Sequence, residues 1–465
     1  MNYHEMNKYD LDRQLADTDF AAFDEQDNNG SHIFIGASLP DYRLPSFHMI
    51  AENNAHPVVV GSTGSHKTTA IIIPNILWKQ ESFVAVDPKG EIAKVVGPYL
   101  RSCGFEIVNF DPYQVGSFPS ATYDPVALLI PSDPEFADMV NQIVDALLVL
   151  PASGEPHWVN AARNLLAGVI AYVVENKNEV SSLTRAHDIL QGGISVVCII
   201  AQGLLSIGDT ESLAWRKLGQ YAEYNPENRE AKSILSTLLT QLQFMDSDPI
   251  RKTLSYGTYR FEELLNPHAK LAVFITLPPE KLESHNRFQR LLISQVIAEF
   301  SRAGGVKNTS TDLYIDEAGT IGTLPMLSQA VGVMRSYGLR IWTFFQTLGQ
   351  IKRDYPQDYQ NFIGNSGTLL LLKVMDNETA QYFSEKLGKL RQFDELSGLS
   401  TGNGKLGSTN TWNADAPYQG MRDVLSPEGL CQLPDEVGLV LTDGTPALFR
   451  KTPYYEAAPF RDVVA

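Results

Sequence analysis

An apolar, β-branched run, Val58-Val59-Val60, passes directly into Gly61-Ser62-Thr63-Gly64-Ser65-His66-Lys67-Thr68, and the chain turns apolar again from Ala70 to Leu77. A strand that ends in small residues and feeds a helix aims backbone N–H groups and the positive helix end at one point, making a nest for an anion. A strand followed by a helix is also half of a βαβ unit, so it calls for a parallel sheet. In this setting the loop reads as a phosphate loop. Gly61, Ser62, Thr63, Gly64, Ser65, His66, Lys67, Thr68 and Thr69 are its candidate binding residues, with Lys67 against the outer phosphates and the Thr68 hydroxyl toward Mg2+. The usual pattern, G-x-x-x-x-G-K-[ST], has glycine where this chain has His66. Glycine there lets the backbone approach a phosphate closely. A histidine ring has to point away or lie beside the phosphates, at some cost in affinity or turnover. Pro74 is expected to disturb the helix that follows.

A second constellation begins at Leu313-Tyr314-Ile315-Asp316-Glu317-Ala318, an apolar strand ending in two adjacent carboxylates. Acidic residues at such a place also cap helices. Downstream of a phosphate loop they read differently: Asp316 as a Mg2+ ligand and Glu317 as the group that orients or deprotonates an attacking water. Gln346 follows the next strong strand, Arg340 to Phe345, and strand carboxyl ends face the ligand crevice of an open α/β sheet. It is a candidate γ-phosphate sensor or water-positioning group. Arg335 is a candidate arginine finger acting on a neighbouring subunit, with Arg340 and Arg353 as competitors. Asp87-Pro88-Lys89-Gly90-Glu91 closes another strand; Asp87 is expected near the site, and Lys89 and Glu91 read equally as contacts or as a plain turn.

Further strands are expected at Ile33 to Gly36, Phe83 to Val86, Glu106 to Phe110, Leu271 to Leu277, Thr368 to Lys373 and Leu439 to Thr442. Trp158, Ala161, Ala162, Leu165, Leu166, Val169, Ile170 and Val173 recur at helical spacing and make one apolar stripe. The resulting expectation is an α/β chain with a mostly parallel twisted sheet interrupted by helices. Its parts are a flexible tail at 1–30, nucleotide-binding segments at 31–178 and 267–465, and an all-α insertion at 179–266. Ser397 to Asn413, rich in Gly, Ser, Thr and Asn, reads as a flexible loop, with Lys405 a candidate contact in a ring lumen. Cys103, Cys198 and Cys431 lack metal-ligand spacing and read as free thiols. A net charge of −17 argues against a broad basic surface for duplex DNA, though not against a local basic channel. No apolar run approaches the roughly 18 residues of a membrane span.

The ordered set of segments resembles the TraG-type coupling ATPases of type IV secretion and conjugation. It comprises VVVGSTGSHKTT with IIIPNIL, VAVDPKGE, HWVNAARNLLAGVIAYV, LAVFITLPPE, LYIDEAG, TFFQTLGQI and the ending LPDEVGLVLTDGTPALFRKTPYY. The resemblance implies a RecA-like P-loop ATPase using ATP and Mg2+, with an inserted all-α domain, assembled as a homo-hexamer. It implies delivery of relaxase-bound single-stranded DNA, or of effector protein, to the components of a type IV secretion channel. It also places the family's lysine, threonine, aspartate and glutamate at Lys67, Thr68, Asp316 and Glu317, and its finger and sensor at Arg335 and Gln346. The family usually begins with transmembrane helices. With Met1 at its head and no such segment, this chain is expected to be cytoplasmic and peripheral at the inner membrane, held by a separate anchor protein. Two other readings remain: a nucleotide-gated substrate receptor with little hydrolysis, favoured by His66 and the acidic charge, and a DNA pump of the FtsK/HerA type. A small-molecule kinase is disfavoured by the length of the chain and by the insertion.

Overall fold

The computed structural model describes residues 32–39, 48–52, 56–149, 156–225, 227–255, 257, 259–305, 311–393, 419–456 and 460–464. The expected tail at 1–30 and the loop carrying Lys405 lie outside the described residues.

Five strands are mostly apolar and are buried along their whole length: β3 (Val58–Gly61), β4 (Phe83–Val86), β6 (Leu271–Ile275), β7 (Thr311–Ile315) and β8 (Leu339–Phe345), the last two carrying the buried charges Asp312 and Arg340. Burial on both faces is the condition of a parallel sheet covered by helices. With β5 (Glu106–Phe110) and β9 (Thr368–Lys373) they form a parallel block in the order β9-β3-β8-β7-β4-β6-β5. The alternation of side chains sorts each strand between two cores. Val58, Val60, Val84, Val86, Leu313 and Ile315 face one of them, and Val59, Phe83, Ala85, Tyr314 and Trp342 face the other.

On the far side of β9 the sheet turns antiparallel. Four more strands, β12 (Val437–Thr442), β13 (Thr445–Arg450), β1 (His32–Ser38) and β2 (His48–Glu52), extend it to an 11-stranded sheet. β2 and β13 were not expected from sequence. The β12–β13 hairpin does carry a signal: Thr442 pairs with Thr445 around Asp443-Gly444, both at positive φ, the two-residue turn that a hairpin favours. A separate two-stranded sheet joins β10 (Lys389–Phe393) and β11 (Gln419–Asp423).

From Phe136 to Leu265 the described residues hold helices and no strand. The helix His157–Glu175 carries the expected apolar stripe and packs on Leu213–Leu218 and Arg229–Leu242. Its core runs on without interruption into the side chains of β3 and β4. Asp124, 2% exposed, fastens this layer to the loop after β5: its carboxylate accepts from Leu183 N at 3.0 Å and from Val126 N at 2.9 Å. On the other face lie the phosphate-loop helix, the helix Glu91–Ser102 and the carboxy-terminal helix Phe460–Val464.

The disturbance expected at Pro74 takes the form of a change in helix type. Lys67–Ile72 is wound in wide π turns, with Ile73 N bonded to Thr68 O, and regular α-helix starts at Ile73 with Pro74 in its first turn, where a missing N–H is harmless. That helix ends at Lys79, whose Nζ lies 2.9 Å from Asp312 Oδ2 at the start of β7. Arg340 of β8 donates to Asp312 as well, Nε to Oδ1 at 2.6 Å, and the Tyr314 hydroxyl donates at 3.0 Å. Burial alone would push the Asp312 carboxyl up; Arg340 and Lys79 outweigh it and hold the group well below the usual carboxylate range.

Two stability measurements follow. Asp312→Ala removes the buried carboxylate that Arg340 and Lys79 share, Lys79 keeping Glu81 at 3.2 Å, and is expected to cost about 3 to 5 kcal/mol in urea unfolding. Burial pushes the Asp124 carboxyl up to about 7, above its unfolded value. Its proton-linked stabilisation is therefore complete at acid pH, below the unfolded value, and is lost as pH rises through about 7. The melting temperature of the parent relative to Asp124→Asn is expected to fall between roughly pH 4 and pH 7.

Candidate phosphate and metal site

β3, β4, β7 and β8 all end at the same edge of the parallel block, so their following residues converge. A cleft of about 220 Å3 opens there, lined by Thr63 to Thr69, Asp87 to Lys89, Glu91, Asp316 and Glu317. Phosphate-loop and carboxylate candidates, distant in sequence, thus share one cavity. The contact between them is direct: the Thr68 hydroxyl donates to Asp316 Oδ2 at 3.0 Å.

Lys67 is 7% exposed and donates from Nζ to Gly61 O at 2.7 Å and Ser62 O at 3.3 Å. Burial lowers its pKa, while Glu317 and Asp316 act to raise it. Asp316 is pushed up to about 6, first by burial and then by the adjacent Glu317. Two neighbouring carboxylates in a half-buried cleft raise each other's cost of ionisation, which a bound cation would offset. Three buried polar atoms here have no hydrogen-bond partner: Asp316 Oδ1, Ser62 Oγ and Ser65 Oγ. An acceptor of this kind at Asp316, beside the Thr68 hydroxyl, suits a hard divalent cation with oxygen ligands.

Glu317 adopts φ 59°, ψ 46°, left-handed for a residue with a Cβ. Gln346 Nε2 donates to Glu317 Oε2 at 2.9 Å, and Gln346 N donates to Gln350 Oε1 at 2.8 Å. Gln350 was not expected at the site. Its position four residues after Gln346, on the helix Leu348–Asp354, is the signal that was available. Asp87 caps the next helix, accepting from Glu91 N at 3.1 Å and Ala93 N at 3.0 Å, and burial pushes it up to about 7. Lys89 and Glu91 are exposed and line the cleft.

His66 stands at φ 70°, ψ 24°, the conformation that favours glycine in this loop. Its ring lines the cleft, with Nδ1 3.1 Å from Thr69 Oγ1.

The competing finger candidates fall out differently. Arg340 is 2% exposed and committed to Asp312, so it has no reach to another subunit. Arg353 is on the helix after Gln346, where it donates from Nη2 to Gly319 O at 2.7 Å and pairs with Asp354. Arg335 lies in the 3-10 turn Met334–Tyr337, just before β8 and at the sheet edge opposite the cleft. Its side chain is outside the described residues.

A model of the family described as Type IV secretory system Conjugative DNA transfer matches residues 14–465. The chain belongs to this family. Among relatives in the family, it is 22% identical over 448 residues to a conjugal transfer protein TraG of Escherichia coli, covering 89% of this chain and 69% of that protein. It is 23% identical over 413 residues to the protein VirD4 of Rhizobium radiobacter, covering 86% of this chain and 57% of that protein. The chain therefore spans little more than half the length of the VirD4 relative. Among solved structures, the unbound coupling protein TrwBdeltaN70 superposes with a TM-score of 0.67 at 18% identity, covering 87% of each chain. TrwB in complex with ADP and Mg2+ gives 0.66 at 17% identity, again over 87% of each chain. These likenesses show the fold, and the expected RecA-like P-loop NTPase architecture and coupling-protein family both hold. Among the described residues, no single helix is long and apolar enough to cross a membrane.

A left-handed histidine costs about 1 kcal/mol relative to glycine. His66→Gly is expected to raise the melting temperature of the ligand-free protein, read by calorimetry. A fall would mean that the bond from the ring to Thr69 outweighs the backbone strain.

Proposed function

We propose that the chain is a Mg2+-dependent ATPase that drives single-stranded DNA, carried with its relaxase, or effector protein into a type IV secretion channel. The observation that carries this reading is the Thr68–Asp316 hydrogen bond, with the Glu317–Gln346 pair beside it. TrwB, which has the same fold, was solved with ADP and Mg2+ and with a non-hydrolysable ATP analogue.

Phosphates would lie in the loop Gly61 to Thr69, with Lys67 offsetting their charge. Thr68 and Asp316 would hold Mg2+. When bound, the metal polarises the phosphoryl oxygens and neutralises charge that builds up on them. Gln346 holds Glu317 by Oε2, which leaves Oε1 to orient a water and accept its proton. The same amide senses whether that carboxylate has moved. A homo-hexamer would supply a further cation, with Arg335, in the turn before β8, acting on a neighbour's cleft. Contacts with channel components and a membrane anchor belong to the same proposal.

A receptor that binds nucleotide but hardly turns it over is the competing reading, and the strained His66 favours it. Glu317→Gln is expected to reduce steady-state ATP turnover by about 100-fold or more while Mg-ADP binding persists. Lys67→Ala is expected to lose both. Wild-type protein that binds Mg-ATP tightly without phosphate release, with or without single-stranded DNA, would establish the receptor instead.

A further inference from the structure

The cleft has the residues for phosphates and metal but gives a nucleobase little to rest on: its lining contains no Phe, Tyr or Trp. A base bound through aromatic contact must therefore leave the cleft on one side. At the Glu317 end the carboxylate is taken by the Gln346 amide, and no ring lines the cleft there. The opposite end, at Thr69 and Glu91, is crossed by the segment after β13. Tyr454 N donates to Thr69 O at 2.9 Å, which pins this segment to the first turn of the phosphate-loop helix. Tyr454 also lies within the electrostatic reach of Glu91. The neighbouring ring, Tyr455, stands edge-on to it, with centroids 5.2 Å apart and planes at 82°, and is 44% exposed. An aromatic pair thus stands next to Thr69, one residue beyond the group that would hold the metal, with Tyr454 packed partly against the core on that face and Tyr455 exposed.

Lys451 fixes the root of this strap. It is 3% exposed, its Nζ donates to Leu372 O at 3.0 Å, and its N–H donates to Glu436 O at 2.7 Å. The pair is therefore held against the sheet rather than trailing from it.

We propose that Tyr454 and Tyr455 form the wall that takes the aromatic base of a nucleotide whose phosphates occupy the loop Gly61 to Thr69. This rests on the nucleotide reading of that loop and adds the base subsite. Recognition through a ring face is indifferent to the pattern of donors and acceptors on the base edge. The wall would accept adenine and guanine alike, so the site would select for a purine nucleotide over a bare polyphosphate without choosing between purines.

The test is isothermal calorimetry on the full chain with three probes: Mg-ADP, Mg-GDP and Mg-pyrophosphate. ADP and GDP are expected to bind the parent within about twofold of each other, because stacking is sequence-tolerant. Tyr454→Ala is expected to weaken both about tenfold and leave pyrophosphate unchanged. Tyr454→Phe should bind as the parent does, since it keeps the ring face. Tyr455→Ala is expected to weaken the nucleotides without touching pyrophosphate. If Tyr454→Ala and Tyr455→Ala both leave ADP binding intact, the base wall is wrong and the phosphate site stands. If Tyr454→Ala weakens pyrophosphate as much as ADP, the strap supports the loop and holds no base. A parent chain that binds none of the three overturns the phosphate site together with its extension.

Discussion

Strand β7 grips the phosphate-loop helix at both ends. Asp316, just past its carboxyl end, accepts from Thr68 at the head of the helix, and Asp312, near its start, takes Lys79 at the tail. The spacings agree: four residues of strand span roughly 13 Å, and eleven residues of helix roughly 16 Å. The helix must therefore lie along the strand and run against it, as a βαβ crossover requires. Because Asp312 also holds Arg340 on β8, one buried carboxylate fixes the strand that carries the acidic pair, the strand that carries Gln346 and the helix that carries Lys67. The site is built at one edge of the sheet and braced at the other.

The parallel block was legible because its strands must be apolar on both faces, which leaves a mark no turn or surface segment imitates. The meeting of Lys67, Thr68, Asp316 and Glu317 was legible for a related reason: once the strands are parallel, everything at their carboxyl ends converges. The antiparallel flank left a weaker trace. β13 contains Pro446 and exposes part of its length, so its pattern is that of an edge, and β2 is defined by its partner β1 more than by its own composition. Arg340 looked available because its charge is visible in sequence while Asp312, at i−28 on a different strand, is not visible as its partner. Gln350 was missed because its role is second-hand: it holds the backbone of Gln346, not a reacting group.

Two residues at the site, His66 and Glu317, occupy left-handed backbone without being glycine. Neither conformation is something a local sequence preference would choose, and each is imposed by the junction of a strand end with a helix start. At Glu317 the twist separates the two carboxylates, sending Asp316 to the Thr68 hydroxyl and Glu317 to Gln346. The same doublet in a regular helix or strand could not serve both partners from adjacent positions. Strain of this sort at a ligand site is maintained by the surrounding packing.

The pairing of Ala37 with Arg450 joins the first described strand to one of the last. Such a contact closes nearly the whole chain into one loop, so it forms late, after shorter-range pairings have lowered the entropy that remains to be lost. During synthesis, β1 waits with an open flank until its partner emerges from the ribosome. The segment that bonds to Thr69 through Tyr454 N emerges later still, so the phosphate-loop helix gains this contact only near the end of synthesis.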